Sequence, residues 1–320
     1  MSALGHQFRS LFTRRSIATE PTAVLWWGSW PRGATIGDLL AVRNLSAALK
    51  AAGHAHSVVS HPRFADAGHV VVDDPARLQA GIETIVFTCG PLVGTGRLKF
   101  LLGRYPRARK FAVGVSVLPH ETALNRRFSG FVARDGMTPS YFDLSIAAVE
   151  PPAPPPAGRP IRAGLCFRGP QKEYRGRSCR ADRAEALLAA AARRYDLETV
   201  PVSTAIGGKR SVADVEESFR SIDVMLTTRL HGSILALAAG KPVIAIDQIA
   251  GGAKLLPVIG RIGWPHVMTV DQADEERTAA TLRAFLDTWP CAEVAEAQQR
   301  ALDLSRDAVR AAVALVTGRG

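Results

Sequence analysis

Short apolar runs alternate with segments of helical spacing along most of this chain. Residues 23–27, 56–60, 84–88, 111–117 and 130–133 read as strands bounded by Gly- and Pro-rich turns. Leu39, Val42, Leu45, Ala48 and Leu49 recur at helical spacing, which predicts a helix over residues 38–52 ended by Gly53. Past residue 160 the pattern restarts, with strands at 161–167, 199–202 and 267–270, helices at 180–194 and 212–219, and helices to the end. Strands alternating with helices predict an α/β fold with doubly wound sheets rather than an all-β one.

The densest signal is DVMLTTRLHGSILALAAGKPVIAI, residues 223–246. An apolar run (224–226) breaks at Thr227-Thr228-Arg229, a helical segment opens at Gly232-Ser233 and ends at Gly240, and a second apolar run follows. That is one βαβ unit of a parallel sheet. Arg229 and His231 fall in the turn at the carboxyl end of its first strand, where open α/β sheets bind ligands. The backbone N–H groups of Gly232, Ser233 and Ile234 are expected to open the helix toward the same space. Two basic side chains beside a helix N-terminus suit a phosphate or carboxylate. The plainer account makes Arg229 a surface charge and His231 a cap, but basic residues at a strand's carboxyl end have little packing reason to be there.

VEPPAPPPAGRP, residues 149–160, places five prolines in the six positions after Glu150. Such a run is neither helix nor central strand; it is a stiff extended linker. It divides the chain into a basic tail (1–20), expected to be disordered, a first domain (21–148) and a second domain (161–320) with C-terminal helices. Two Rossmann-like domains facing across a cleft are the expected architecture, and 320 residues suffice for two cores.

The formal charge of +11 raises a nucleic-acid reading. No zinc-finger spacing, aromatic RNA-binding signature or basic helical run accompanies it, so no nucleic-acid partner is expected. The charge fits an anionic small substrate or an anionic glycolipid at a membrane surface. Cys89, Cys166, Cys179 and Cys291 lie far apart without C-x-x-C pairing, which implies neither a zinc site nor a disulfide framework and fits a reducing cytoplasm. Cys89 and Cys166 sit in apolar runs and read as small core residues. No apolar segment is long enough for a signal or a span. A cytoplasmic protein, reaching at most the inner face of a membrane, is expected.

The run TTRLHGSILALAAGKPVIAI resembles the signature of the polysaccharide pyruvyl transferases: R-L-H-G, apolar helix, G-x-P, apolar strand. GATIGD (33–38) sits where that family carries an N-x-G-D turn, with Thr35 in place of asparagine. CGPLVG (89–94) resembles its Gly-rich loop, VARDGMTPSYF (132–142) its R-D-x-x-S segment, and LCFRG (165–169) the strand opening its second domain. Asp247 and Gln248 stand where the family often has Tyr and Lys, and Lys254 follows later. The resemblance spans most of residues 23–260.

It implies a GT-B-like fold and transfer of the enolpyruvyl carbon of phosphoenolpyruvate onto two sugar hydroxyls as a cyclic ketal, with release of phosphate and no metal or other cofactor. The partners implied are phosphoenolpyruvate and a glycan or lipid-linked sugar. Arg229 and His231 would bind the donor, His231 either as the acid or as a phosphate ligand, with Gly232 and Ser233 beside them. Arg168 would add a second cation or be merely exposed before Gly169-Pro170. Asp38 and His120 would serve the acceptor, with helix capping the competing role for Asp38. A nucleotide-sugar glycosyltransferase of the same fold is the first alternative; the ribose-holding Glu of many such enzymes would fall at Leu235. A non-catalytic carbohydrate-binding relative is the second.

Overall fold

The computed structural model describes residues 17, 19–30, 34–64, 66–171, 174, 176–207 and 210–319. Most of the expected basic tail, including Arg9, Arg14 and Arg15, and Gly33 of the first turn lie outside the described residues.

Among the described residues, six parallel strands form the first sheet: β1 (Thr22–Trp26), β3 (Ser57–Ser60), β4 (Val70–Val71), β5 (Thr84–Pro91), β6 (Arg109–Ser116) and β7 (Gly130–Asp135). Their order is β4-β3-β1-β5-β6-β7, so the chain winds one way from β1 and then restarts on its other side at β5. The second sheet comprises β8 (Arg162–Cys166), β9 (Glu198–Pro201), β11 (Val224–Thr227), β12 (Val243–Asp247) and β13 (Val267–Thr269). It is also parallel, in the order β13-β12-β11-β8-β9, and reverses between β8 and β11. Both orders are doubly wound, and each switch point opens a crevice at the strands' carboxyl ends. The expected α/β architecture of two Rossmann-like units is what the strand orders build.

A miniature antiparallel sheet joins the units. β2 (Ala34–Thr35) pairs with β10 (Ala205–Ile206), and the Ile36 N–H donates to the Thr204 carbonyl at 2.8 Å. The following helix, α1 (Ile36–Ala51), starts two residues before the expected Asp38, because Thr35 caps it by accepting the Asp38 N–H at 3.3 Å. Strand β5 also outruns its expected end at Thr88. It stays paired with β6 through Gly90 and Pro91, so the expected Gly-rich loop begins as strand.

Side-chain alternation along β1 and β5 feeds two cores. Leu25 and Phe87 pack on the outer face of the first sheet under α2 (Gly96–Arg104) and α3 (Thr122–Asn125), with Leu98, Leu101 and Leu124. Val24 and Val86 join a continuous core with Leu45 and Leu49 of α1 and with Met225 and Ile244 of the second sheet. That core extends to α4 (Ala181–Arg194), α5 (Val212–Arg220), α6 (Leu230–Ala238), α7 (Leu255–Ile259), α8 (Glu275–Asp287) and α9 (Cys291–Thr317). The C-terminal helices do not all stay with the second sheet. Helix α9 crosses back to pack on α1, β6 and β7, burying Ala308, Ala312 and Val316 there.

The proline-rich segment is extended, as its composition requires, and fastened at both ends. Its Glu150 N–H donates to the Ala238 carbonyl at 2.7 Å, and Gln298 of α9 donates to the Glu150 and Leu237 carbonyls at 2.8 and 2.7 Å. Arg159 forks onto Asp223 at 2.7 and 2.6 Å. Gly240 ends the α6 segment at φ +73°, and a Cβ there would stand 2.8 Å from the Pro151 carbonyl oxygen. A larger residue would fail on both counts.

Candidate active site

The two crevices meet in one cavity of about 410 Å³. The first unit contributes Trp27 and Gly28 after β1, Thr35 and Asp38 at the start of α1, Gly90 and Pro91 at the end of β5, Val93 and Thr95 after it, and Arg134 at the end of β7. The second contributes Arg168 after β8, Thr204, the Arg229-Leu230-His231 turn after β11, and Lys254.

His231 is the seam between the units. Its Nε2 lies 3.2 Å from Asp143 Oδ2 and its Nδ1 lies 3.3 Å from Thr35 Oγ1, both partners belonging to the first unit. The Thr35 hydroxyl donates its one proton to Asp38 Oδ2 at 2.8 Å, so its contact with His231 is satisfied when Nδ1 carries hydrogen. The ring thus lies between one carboxylate, Asp143, in direct contact and a second, Asp38, one hydroxyl away. Gly37 packs flat on the imidazole; a Cβ there would lie 2.3 Å from the ring Cγ.

Behind His231 is a buried charge cluster. Arg134 Nη1 donates to Asp143 Oδ2 at 2.6 Å, and its Nη2 reaches Ser116 Oγ at 3.4 Å. Ser116 in turn donates to Asp135 Oδ2 at 2.8 Å. The Ser145 N–H donates to Asp143 Oδ1 at 2.9 Å. Burial by itself would raise the Asp143 carboxyl, but His231 and Arg134 outweigh it and hold the group far below the usual carboxylate range. Burial would likewise weaken the Arg134 cation, and Asp143 and Asp135 reverse that. Asp135 goes the other way: burial lifts its carboxyl, and Arg134 compensates only in part.

Arg229 is set differently. Its Nη1 donates to Thr204 Oγ1, while its Nε is buried with no hydrogen-bond partner among the described residues. Among these residues it has no carboxylate within ion-pair distance. Burial, together with the nearby Arg168 charge, pulls this guanidinium below its usual value, with Cys166 and Asp38 opposing. An unpaired, half-desolvated cation facing a cavity is chemically suited to an anion.

Of the residues singled out in the sequence, Arg229, His231, Asp38 and Arg168 come together on the cavity wall. The capping role weighed for Asp38 belongs to Thr35, and Asp38 is free to face the cavity from the third helical position. Gly232 and Ser233 do not line the cavity. Helix α6 begins at Leu230, so the Ser233 N–H is spent on the Arg229 carbonyl at 3.0 Å and its hydroxyl on the same oxygen at 3.2 Å. Gly232 is there for fit: a Cβ would lie 2.5 Å from Thr227 Oγ1. His120 is exposed on the short turn at Pro119–Glu121, 4.0 Å from Glu121 and outside the cavity wall. Leu235 faces away from the cavity, into the core.

Thr35, Arg134, Asp143 and Lys254 were not singled out for the site. Asp143 carried a usable signal, a lone carboxylate between the buried Phe142 and Leu144. Lys254 is delivered by Asp247, whose buried carboxylate accepts the N–H groups of Ile249, Lys254, Leu255 and Leu256 at 3.1, 2.8, 2.7 and 3.2 Å. This folds the loop after β12 back over the cavity and starts α7.

Residues 170–248 match the polysaccharide pyruvyl transferase family model, a stretch that includes Arg229 and His231. No curated protein matches the chain in sequence. Among solved structures, the chain is similar to the spinosyn rhamnosyltransferase SpnG complexed with spinosyn aglycone, at 14% identity over 93% of this chain and 99% of that one, with a TM-score of 0.46. Acinetobacter baumannii MurG is similar at 11% identity, over 93% and 99%, with a TM-score of 0.45. The E. coli heptosyltransferase WaaC with ADP is similar at 10% identity, over 85% and 98%, with a TM-score of 0.42.

Proposed function

We propose that this protein is a polysaccharide-modifying transferase that moves the enolpyruvyl carbon of phosphoenolpyruvate onto two hydroxyls of a glycan or glycan precursor, releasing phosphate. The observation that carries the reading is the unpaired Arg229 guanidinium beside a doubly held His231 in a cavity that Arg168 and Lys254 also line. A donor bearing both phosphate and carboxylate needs several cations with directional donors, and arginine offers a fork to either group.

The wiring around His231 fits the proton traffic of such a transfer. Protonating C3 turns the enol carbon C2 into an oxocarbenium-like centre, which the first sugar hydroxyl attacks. Phosphate then leaves and the second hydroxyl closes the ketal. Two hydroxyls lose two protons; one ends on C3 and one on phosphate, so no electron carrier enters the balance. His231 is the donor of the C3 proton and Asp38 the base for the attacking hydroxyl. Thr35, bonded to both, carries the proton back from base to acid between steps.

The test mixes the protein with phosphoenolpyruvate and a panel of lipid-linked and nucleotide-linked sugars. Phosphate release with a product mass gain matching a pyruvyl ketal is expected, and phosphoenolpyruvate alone should raise the melting temperature. Glycosyl transfer from a nucleotide-sugar, with no effect of phosphoenolpyruvate on melting, would reject the proposal for the glycosyltransferase reading.

Gly37→Ala gives an independent check of the His231 geometry. Alanine is the better helix former by about 1 kcal/mol, yet its methyl would push the imidazole off Thr35 and Asp143. Turnover is expected to fall about a hundredfold, the usual scale for misplacing a catalytic group by an ångström. Wild-type turnover in this variant would mean that the ring position does not matter.

A further inference from the structure

Helix α2 begins at the rim of the cavity: Thr95 lines the cavity and accepts the Leu98 N–H at 3.3 Å as the helix cap. Its inner face buries Leu98, Leu101 and Leu102. Its outer face leaves Phe100 63% exposed, the most exposed of the large hydrophobic residues among those described. Its neighbours along the chain are cationic. Between Glu83 and Glu121 the chain has no acidic residue, while Arg97, Lys99, Arg104, Arg107 and Arg109 are all exposed. Arg127, from the turn after α3, lies along the same flank, donating to the Lys99 carbonyl at 3.3 Å.

A single exposed phenylalanine is ordinary on a protein surface. One that shares its helix with the exposed Arg97, Lys99 and Arg104, five residues from the mouth of a cavity, is not. We propose that this flank of α2 docks on an anionic lipid bilayer, with Phe100 entering the headgroup region and the surrounding lysine and arginine side chains meeting lipid phosphates. An aromatic ring with basic neighbours on one helix face is the chemistry of interfacial attachment, and the charges add to it within a Debye length of the surface. A nucleic acid fits the face poorly. Tyr105 and Phe111 are buried, so no second ring nearby is open for successive bases to stack on. Phe100 lies about 8 Å along the helix axis from Thr95, so docking holds the cavity mouth at the bilayer surface. That the same bilayer presents the sugar acceptor rests on the ketal-forming reading above; the docking itself does not.

The test is co-sedimentation of the full chain with phosphatidylcholine vesicles, with and without phosphatidylglycerol. Binding is expected only to the anionic vesicles and is expected to be released by high salt. Phe100→Ala should weaken it about tenfold, the Lys99→Glu, Arg104→Glu double variant about a hundredfold, and Phe100→Trp should restore it. All three change exposed side chains, so their melting temperatures should match the wild type. The proposal is overturned if the wild type ignores anionic vesicles, if the Phe100→Ala and Lys99→Glu, Arg104→Glu variants bind as well as it does, or if single-stranded RNA is bound in preference to vesicles. Phosphate release from phosphoenolpyruvate is read separately, so either proposal can fail while the other stands.

Discussion

Replacing Asp143 with Asn should destabilise the protein by about 3–5 kcal/mol at neutral pH, the usual cost of removing one member of a buried ion cluster. The carboxylate holds Arg134 at 2.6 Å and His231 at 3.2 Å, and both would be left buried beside a neutral amide. The effect carries a pH signature with a defined sign. Folding depresses the Asp143 pKa, so its contribution is complete above the unfolded value of about 4 and fades as the pH falls toward the lower folded value. The gap between wild type and variant should therefore be wide at pH 7 and close progressively below about pH 4. Asp135 works with the opposite sign, because burial raises its carboxyl and its ionisation opposes folding. Both proteins share that group, so it largely drops out of the difference. Urea unfolding across this pH range is the measurement; a gap under about 1 kcal/mol, or one that does not depend on pH, would mean that Asp143 does not clamp the cluster.

The parts of the site that were legible in the sequence are those fixed by local pattern. The β11–α6 unit announces itself through an apolar run, a polar break and a glycine stop, and this places Arg229 and His231 at a strand's carboxyl end without knowledge of the fold. The exact start of α6 is less legible. Leu230 and His231 are as much helix as turn by type, and two residues of error moved Gly232 and Ser233 from the cavity wall into the core. What holds His231 was beyond local reading, since Thr35 is 196 positions away and Asp143 is 88. Both contacts need the two units brought together, which the β2–β10 pairing, the shared core and α9 accomplish. His120 lies off the cavity wall for a related reason: the strand before it does point at the cleft, but the chain turns outward at Pro119 and leaves the imidazole at the surface. Lys254 was hidden because its position depends on a carboxylate seven residues earlier gathering four backbone N–H groups.

Arg229→Ala should separate function from stability in the direction opposite to Asp143→Asn. Asp143 is paired on every side, whereas Arg229 meets the Thr204 hydroxyl and leaves its Nε buried without a partner. Removing it relieves a desolvated charge that the fold itself does not compensate, so the variant should melt no lower than the wild type. If this guanidinium grips the donor, the transition state should lose about 2–4 kcal/mol, read as a hundredfold to thousandfold fall in kcat/KM. Phosphoenolpyruvate should also stop raising the melting temperature, since a ligand stabilises only the form it binds. Arg229→Lys sharpens the test: it keeps the charge but not the fork, and is expected to recover part of the melting shift while leaving turnover low. Thermal melts with and without phosphoenolpyruvate read the binding, and phosphate release reads the chemistry. A variant that melts far below the wild type yet still responds to phosphoenolpyruvate would mark Arg229 as a strut of the β11–α6 turn, with the donor held elsewhere in the cavity.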